Sequence, residues 1–243
     1  MIHVTIFNEF CHEQNEERIK EIYPKGIHTA IADFLSKEAD MSVRTVTLYD
    51  ENNHVHPDCG ITDTLLKETD VLMWWGHMRH GEVSDEVVRK VCDNVLCGMG
   101  AIFLHSGHHS KPFKTLMGTS CNLSWRDGEK ERLWNICPSH PIMQGVDQFI
   151  DLQNEEMYGE CFDIPTPDEL LMIGTYGSHE VFRSACTWRR GNGKVFYFQP
   201  GHEAYPTYYN PEIQNILKNA IRWAAPKYRE KELVCPHIEP IAF

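Results

Sequence analysis

No stretch of this chain holds 18 consecutive apolar residues, so no membrane-spanning helix is expected. Basic residues are also scarce: 23 Lys and Arg stand against 35 Asp and Glu, a formal net charge of −12. A nucleic acid or an anionic membrane surface needs a cationic face to meet its phosphates, and this balance argues against both as partners. The opening stretch MIHVTIFNEF lacks the basic start and long apolar centre of a secretory signal and reads as a first strand. No CxxC pair occurs among the nine cysteines (Cys11, Cys59, Cys92, Cys97, Cys121, Cys137, Cys161, Cys186 and Cys235). An odd number without disulfide or zinc spacing reads as reduced thiols in a cytoplasmic protein. Internal repeats, low-complexity tracts and a convincing linker are missing too, which favours one domain.

What is present builds an α/β pattern. A chain of 243 residues can bury roughly 70–75% of its unfolded surface, so its core needs no metal or disulfide merely to hold together. HVTIFN (3–8), SVRTVTLYD (42–50), DVLMWWG (70–76) and AIFLH (101–105) read as strands. Helical spacing appears between them at 25–35, 61–68 and 85–97. Ser84 is placed as an N-cap, with Asp85 and Glu86 in the first turn and Gly98 at the stop. Strands separated by single helices imply right-handed crossovers and parallel pairing. The second half changes character. Short alternating pieces near 120–136, 158–163 and 170–175 suggest an antiparallel extension, and SACTWRRGNGKVFYFQPGHE is a hairpin around Gly-Asn-Gly. PEIQNILKNAIRWAA (211–225) is a last helix with Pro211 at its start. Residues 226–243 read as an extended arm of the kind that packs on a neighbouring subunit.

Histidine is the unusual component, with 14 in all. His12 follows the first strand, His77 and His80 the third, His105, His108 and His109 the fourth, and His202 the hairpin. The carboxyl ends of parallel strands form the crevice where ligands bind, so four segments deliver imidazoles to one edge of one sheet. Each histidine alone reads as a hydrogen-bonded loop residue; together they suit a divalent metal or an acid–base site. His77-x-x-His80 and His105-x-x-His108 can each supply two ligands. Glu155, Glu156 and Glu203 are candidate ligands or bases. Ser106 beside His108 suggests a serine nucleophile, but the G-x-S-x-G elbow is missing because residue 104 is Leu and residue 108 is His. Trp74, Trp75, Tyr205, Tyr208 and Tyr209 flank the crevice segments; half of them read as core, and aromatic faces beside polar loops also suit the apolar side of a sugar ring.

Several segments taken together resemble one family: DVLMWWGH, GMGAIFLHSG, SHPIMQGVDQFIDLQNEEMYGE, TWRRGNGKVFYFQPGHE and NPEIQNILKNAIRWA are similar to the ThuA-like (trehalose utilisation) proteins. The resemblance runs from the first strand to about residue 225. It implies the fold of class I glutamine amidotransferases: a flavodoxin-like three-layer α/β fold with a mostly parallel sheet and an antiparallel extension. The amidotransferase cysteine would stand in the turn after the fourth strand, and here that turn is His105-Ser106-Gly107, so glutamine hydrolysis through a thioester is not expected. The family's recurring polar residues match His105, His140, Glu156, Tyr158 and His202, with His140 read as a turn residue. The resemblance also implies catabolism of trehalose-type disaccharides, acting on oxidised 3-keto sugars.

The resulting expectation is a metal-dependent enzyme that removes a proton beside a sugar carbonyl and stabilises the enediolate, as isomerases, epimerases and lyases do. His77, His80, His105 and His202 are the expected ligands of a divalent ion, zinc first, with manganese, iron and nickel also suited. Glu156, His108 and Tyr158 are the expected acid–base residues. The partner is a small sugar, and the acidic surface and arm suggest a homo-oligomer. Two other readings compete: a non-catalytic sugar- or metal-binding regulator on a degenerate amidotransferase scaffold, and metal-assisted hydrolysis.

Overall fold

The computed structural model describes residues 1–242. The strands and helices expected from the N-terminal pattern are present: β1 (Ile2–Asn8), α3 (Ile27–Leu35), β2 (Met41–Thr47), α4 (Asp63–Lys67), β3 (Val71–Trp75), α5 (Asp85–Cys97) and β4 (Gly100–Leu104). Ser84 caps α5 by accepting from the Val87 amide. Two short helices, α1 (His12–Asn15) and α2 (Glu17–Ile22), occupy what reads in sequence as a polar loop. The segment EFCHEQNEERIKEI has too few apolar residues to show a period. α6 (Lys111–Met117) follows the histidine turn, with Ser110 as its cap.

All nine strands form one sheet in the order β2-β1-β3-β4-β9-β8-β7-β5-β6, where β5 is Ser124–Asn135, β6 Phe149–Gly159, β7 Glu169–Tyr176, β8 Val181–Arg190 and β9 Gly193–Phe198. The β2-β1-β3-β4-β9 part is parallel throughout and has the doubly wound 2-1-3-4-5 order. From β9 to β6 every pairing is antiparallel. Four pairings of each kind, with the longer strands in the antiparallel part, correct the expectation of a mostly parallel sheet: the sheet is mixed. The reason is connectivity. A parallel return needs a crossover of a dozen residues or more, usually a helix. Between α6 and β9 the chain supplies only turns and one 3₁₀ turn at Pro141–Met143, so its strands pair with their neighbours head to tail.

Alternation sorts the parallel strands onto two cores. Val4, Ile6, Met73, Trp75, Ile102, Leu104, Phe196 and Phe198 face α3 and the last helix, α7 (Pro211–Ala224). Phe7, Leu72, Trp74, Phe103, Val195 and Tyr197 face α5 and α6. This two-sided burial makes these strands continuous apolar runs and leaves their carboxyl ends as the open edge. Residues 226–242 form no helix or strand.

Candidate functional site

In the 2-1-3-4-5 order, the chain leaves β1 toward one side of the sheet and β3 toward the other, which opens a crevice between their carboxyl ends. β1 ends on Asn8 and Glu9 follows it, with His12 one turn beyond. β3 ends on Trp75, and Gly76 and His77 follow. The buried Glu9 carboxylate accepts the Met78 and Arg79 amides at 2.9 and 3.0 Å and so pins the loop that carries His77. Sequence reasoning missed Glu9, because one acid in a Glu-rich stretch gives no signal.

Residue 105 begins the turn after β4 with φ of 49°, a left-handed conformation uncommon outside glycine. That kink aims the ring into the protein, where it is wholly buried. Nδ1 of His105 lies 2.8 Å from the Gln199 carbonyl and Nε2 lies 3.0 Å from Glu156 Oε2. Two acceptors on two ring nitrogens call for an imidazolium. Burial opposes that charge, but the hydrogen bond and charge of Glu156 raise the His105 pKa above the ordinary histidine value. Burial likewise pushes Glu156 up, and the His105 hydrogen bond and neighbouring histidine charges more than reverse it, leaving Glu156 below the usual carboxylate range. Tyr158 stacks on His105 at 5.0 Å, with its hydroxyl 3.3 Å from Nε2.

β6 is the edge strand at the far end of the sheet, yet it reaches this crevice because the antiparallel part folds back over the segment after β9. The bonds that hold it are the Gln199 amide to the Glu156 carbonyl (3.2 Å) and the fully buried Glu155 carboxylate. Glu155 accepts from the Gly201 amide (3.0 Å), the His202 amide (3.0 Å), the Thr207 hydroxyl (2.7 Å) and the Glu156 amide (3.1 Å). One carboxylate thus fixes the turn that presents His202 and Glu203.

Two overlapping sets of ligand-type atoms result, each within 4.8 Å of one another: His77, Glu156 and His202; and His12, His77 and Glu203. Nδ1 of His77 is 2.8 Å from Glu203 Oε1, which leaves Nε2 of that ring for another partner. Glu203 Oε1 is also 3.7 Å from His202 Nε2 and 3.8 Å from His12 Nδ1. Burial pushes the Glu203 carboxyl up, but the His77 hydrogen bond and charge hold it far below its usual range. Burial lowers His202 to about 4, so its ring is neutral. Buried Glu203 Oε2 and His12 Nε2 have no hydrogen-bond partner.

Of the four expected ligands, His77 and His202 are brought together and His80 and His105 stand outside both sets. Both nitrogens of His105 are already engaged. His80 is turned toward Glu9, 3.4 Å away without hydrogen-bond alignment, and burial with nearby His109 lowers its pKa to about 3. Glu156, expected as an acid–base residue, falls among the ligand-type atoms. His108 keeps a cavity position: its Nδ1 lies 2.7 Å from the Cys121 carbonyl, and burial lowers its pKa to about 3. His77, His80, His108, His109, Glu156 and Tyr158 line a cavity of about 270 Å³, with Trp125 at its rim. That is slightly below the roughly 300–1,000 Å³ of typical ligand pockets. His140 lies elsewhere, capping the Pro141–Met143 turn beside Glu169 and Trp223. Ser106 donates to the Gly76 carbonyl and not to a histidine. Trp74, Trp75 and Tyr208 belong to the core.

The fold and site define an open α/β protein with a histidine–carboxylate cavity at the carboxyl edge of its parallel strands. The family model described as ThuA, trehalose utilisation, matches residues 3–224, and the chain belongs to that family. Among solved structures, a ThuA-like protein from Parabacteroides merdae superposes with TM-score 0.69 at 14% identity, covering 96% of this chain and 92% of that one. A second, from Bacteroides uniformis, gives 0.60 at 14% identity over 91% and 90%. A protein described as cytoplasmic, from Salmonella typhimurium, gives 0.61 at 11% over 93% and 100%. No functionally curated protein matched the sequence. None of the described helices is long and apolar enough to cross a membrane.

Proposed function

We propose that this chain is a cytoplasmic, metal-dependent enzyme that acts on a keto-sugar of the trehalose type by moving a proton beside the carbonyl. The observation that carries this reading is the convergence of His77, His202 and Glu156 from three separate segments, backed by Glu203 and His12. The donor set fits a divalent ion. Two imidazoles and a carboxylate leave a position open to substrate, as catalytic sites do. The unpartnered buried atoms of Glu203 and His12 beside the set are the signature of a polar group still to be accommodated. His77, His202 and Glu156 would hold the ion, while Glu203, bonded to His77 Nδ1, would fix that ring as an outer-shell carboxylate does. When bound, the ion supplies Lewis-acid polarisation of the sugar carbonyl. Nitrogen and oxygen donors suit zinc, manganese, iron or nickel.

The chain's own groups supply the proton transfer. His108 donates Nδ1–H to a carbonyl, so Nε2 is the bare nitrogen and the candidate base; burial lowers its basicity but keeps it unprotonated and able to accept a proton at neutral pH. Tyr158, whose pKa burial and the Glu156 charge push well above its ordinary value, stays a hydroxyl and donates to developing negative charge. His105 orients Glu156 and carries the compensating charge.

The test is elemental analysis of untagged protein alongside deuterium exchange into 3-keto-trehalose in D₂O. Stoichiometric metal with exchange at the carbon beside the carbonyl supports the enzyme. Metal and sugar binding without exchange would favour the regulatory reading, and release of monosaccharide would favour hydrolysis.

A further inference from the structure

His80 and His109 line the site cavity on one side and a second, larger groove on the other. That groove holds about 740 Å³ and lies between α5 and α6. Along α5 it is floored by Val88, Cys92 and Leu96, spaced one helical turn apart, and Lys111 and Lys114 of α6 wall it with their aliphatic stems. None of its lining residues is Trp, Tyr or Phe, so it offers no flat platform for a sugar ring.

The same helix marks where the C-terminal arm departs. The Arg229 guanidinium donates to the Leu66 and Thr69 carbonyls, and the Glu230 amide donates to the carbonyl of Cys97, the last residue of α5. Beyond that anchor, residues 231–242 stand off the body. Leu233, Val234, Ile238 and Ile241 are 54%, 64%, 70% and 79% exposed. Four aliphatic side chains in twelve residues is a density that marks an interaction segment. Pro236 and Pro240 restrict the backbone, so ordering this segment costs less entropy than ordering a free chain.

We propose that the arm docks in the α5/α6 groove of a second copy of the chain, exchanged reciprocally. Charge favours it at one point: the arm carries Glu230, Glu232 and Glu239 against Lys231, and in the groove Arg89 and Lys111 already pair with Asp93 and Asp85, which leaves Lys114 as a cation that meets no carboxylate among the described residues. Reciprocal exchange also meets the size a stable dimer needs. Twelve arm residues and twelve groove residues from each protomer come to the roughly 20–30 residues a side of a stable interface. This inference does not rest on the proposed chemistry.

The experiment compares the mass in solution, by light scattering at micromolar concentration, of the whole chain and of a chain ending at Glu230, which keeps the Arg229 anchor. The expected result is twice the 28.2 kDa chain mass for the first and one chain mass for the second. Lys114→Glu in the whole chain shifts the dimer toward monomer without disturbing the core. The photo-reactive residue p-benzoylphenylalanine in place of Val234 then yields an adduct of dimer mass that maps to residues 85–115. A monomeric whole chain, a dimer unchanged by truncation, an adduct within a single chain, or an adduct elsewhere on the partner would each overturn the proposal.

Discussion

The two halves of the sheet divide the work differently. The parallel half, β2-β1-β3-β4-β9, is buried on both faces and offers its carboxyl ends as a fixed edge. Histidines reach that edge because they stand at the ends of strands. The antiparallel half folds back and lays the carboxyl end of β6 across the crevice, so Glu155, Glu156 and Tyr158 enter from the side. A site in this fold is therefore a joint between a rigid edge and a cover, and each half is incomplete without the other. The single carboxylate of Glu155 couples them.

The largest expected effect comes from breaking the joint at its centre. His202→Ala or His77→Ala is expected to lose bound metal and to cut turnover well beyond the roughly 10–100-fold typical of outer-shell changes, whereas Glu203→Gln should fall within that range. Elemental analysis and steady-state rates on the same preparations separate the two classes. His80→Ala, by contrast, should retain the metal.

Stability tests the cover next. His105→Ala leaves the buried Glu156 carboxylate without its cation and should cost about 3 kcal/mol in urea unfolding. Glu155→Gln replaces an acceptor of four donors with a group that must donate on one side. It should lower stability by about 2 kcal/mol and loosen His202 enough to weaken metal binding. A Glu155→Gln protein with unchanged metal affinity would show that the two halves are not coupled through this residue.

Acid should expose the edge. Burial holds His28, His80, His108 and His202 neutral, with pKa values near 4, 3, 3 and 4. Their folded values lie below the unfolded value of about 6.5, so the unfolded chain binds more protons in acid. The stability these groups contribute is whole above that value and is lost as pH falls from about 6.5 toward 3. Each costs up to roughly 1.4 kcal/mol per pH unit in that window. Metal-free protein should therefore show a falling urea midpoint below pH 6.5, and His108→Gln should flatten the slope. The smallest effect lies away from the joint: Ser84→Ala should cost about 1 kcal/mol through the lost α5 cap and leave metal content unchanged.

The parallel half was legible because two-sided burial writes strands as apolar runs and because Ser84, Gly98 and Pro211 punctuate the helices. Placing histidines at strand ends followed from that. Three things were hidden. The short helices α1 and α2 carry no period, and they set His12 beside His77. The fold-back of β6 is long-range, so nothing local in LQNEEMYGE says that Glu155 grips the 201–207 turn and Glu156 points at His77 and His202. The turn at His105 reads as a ligand-bearing loop, but its left-handed kink drives the ring inward, where Gln199 and Glu156 take both nitrogens. Spacing along the chain placed histidines at the carboxyl edge of the parallel strands; only tertiary geometry showed which of their ring nitrogens are already engaged and which converge with Glu156 and Glu203.

The most direct test of the account is solvent deuterium incorporation into 3-keto-trehalose, measured with metal-loaded protein, with chelator-stripped protein and with the stripped protein reloaded. A metal-dependent proton transfer gives exchange beside the carbonyl in the first, its loss in the second and its return in the third. Equal exchange in all three, or none in any despite sugar binding, would contradict it.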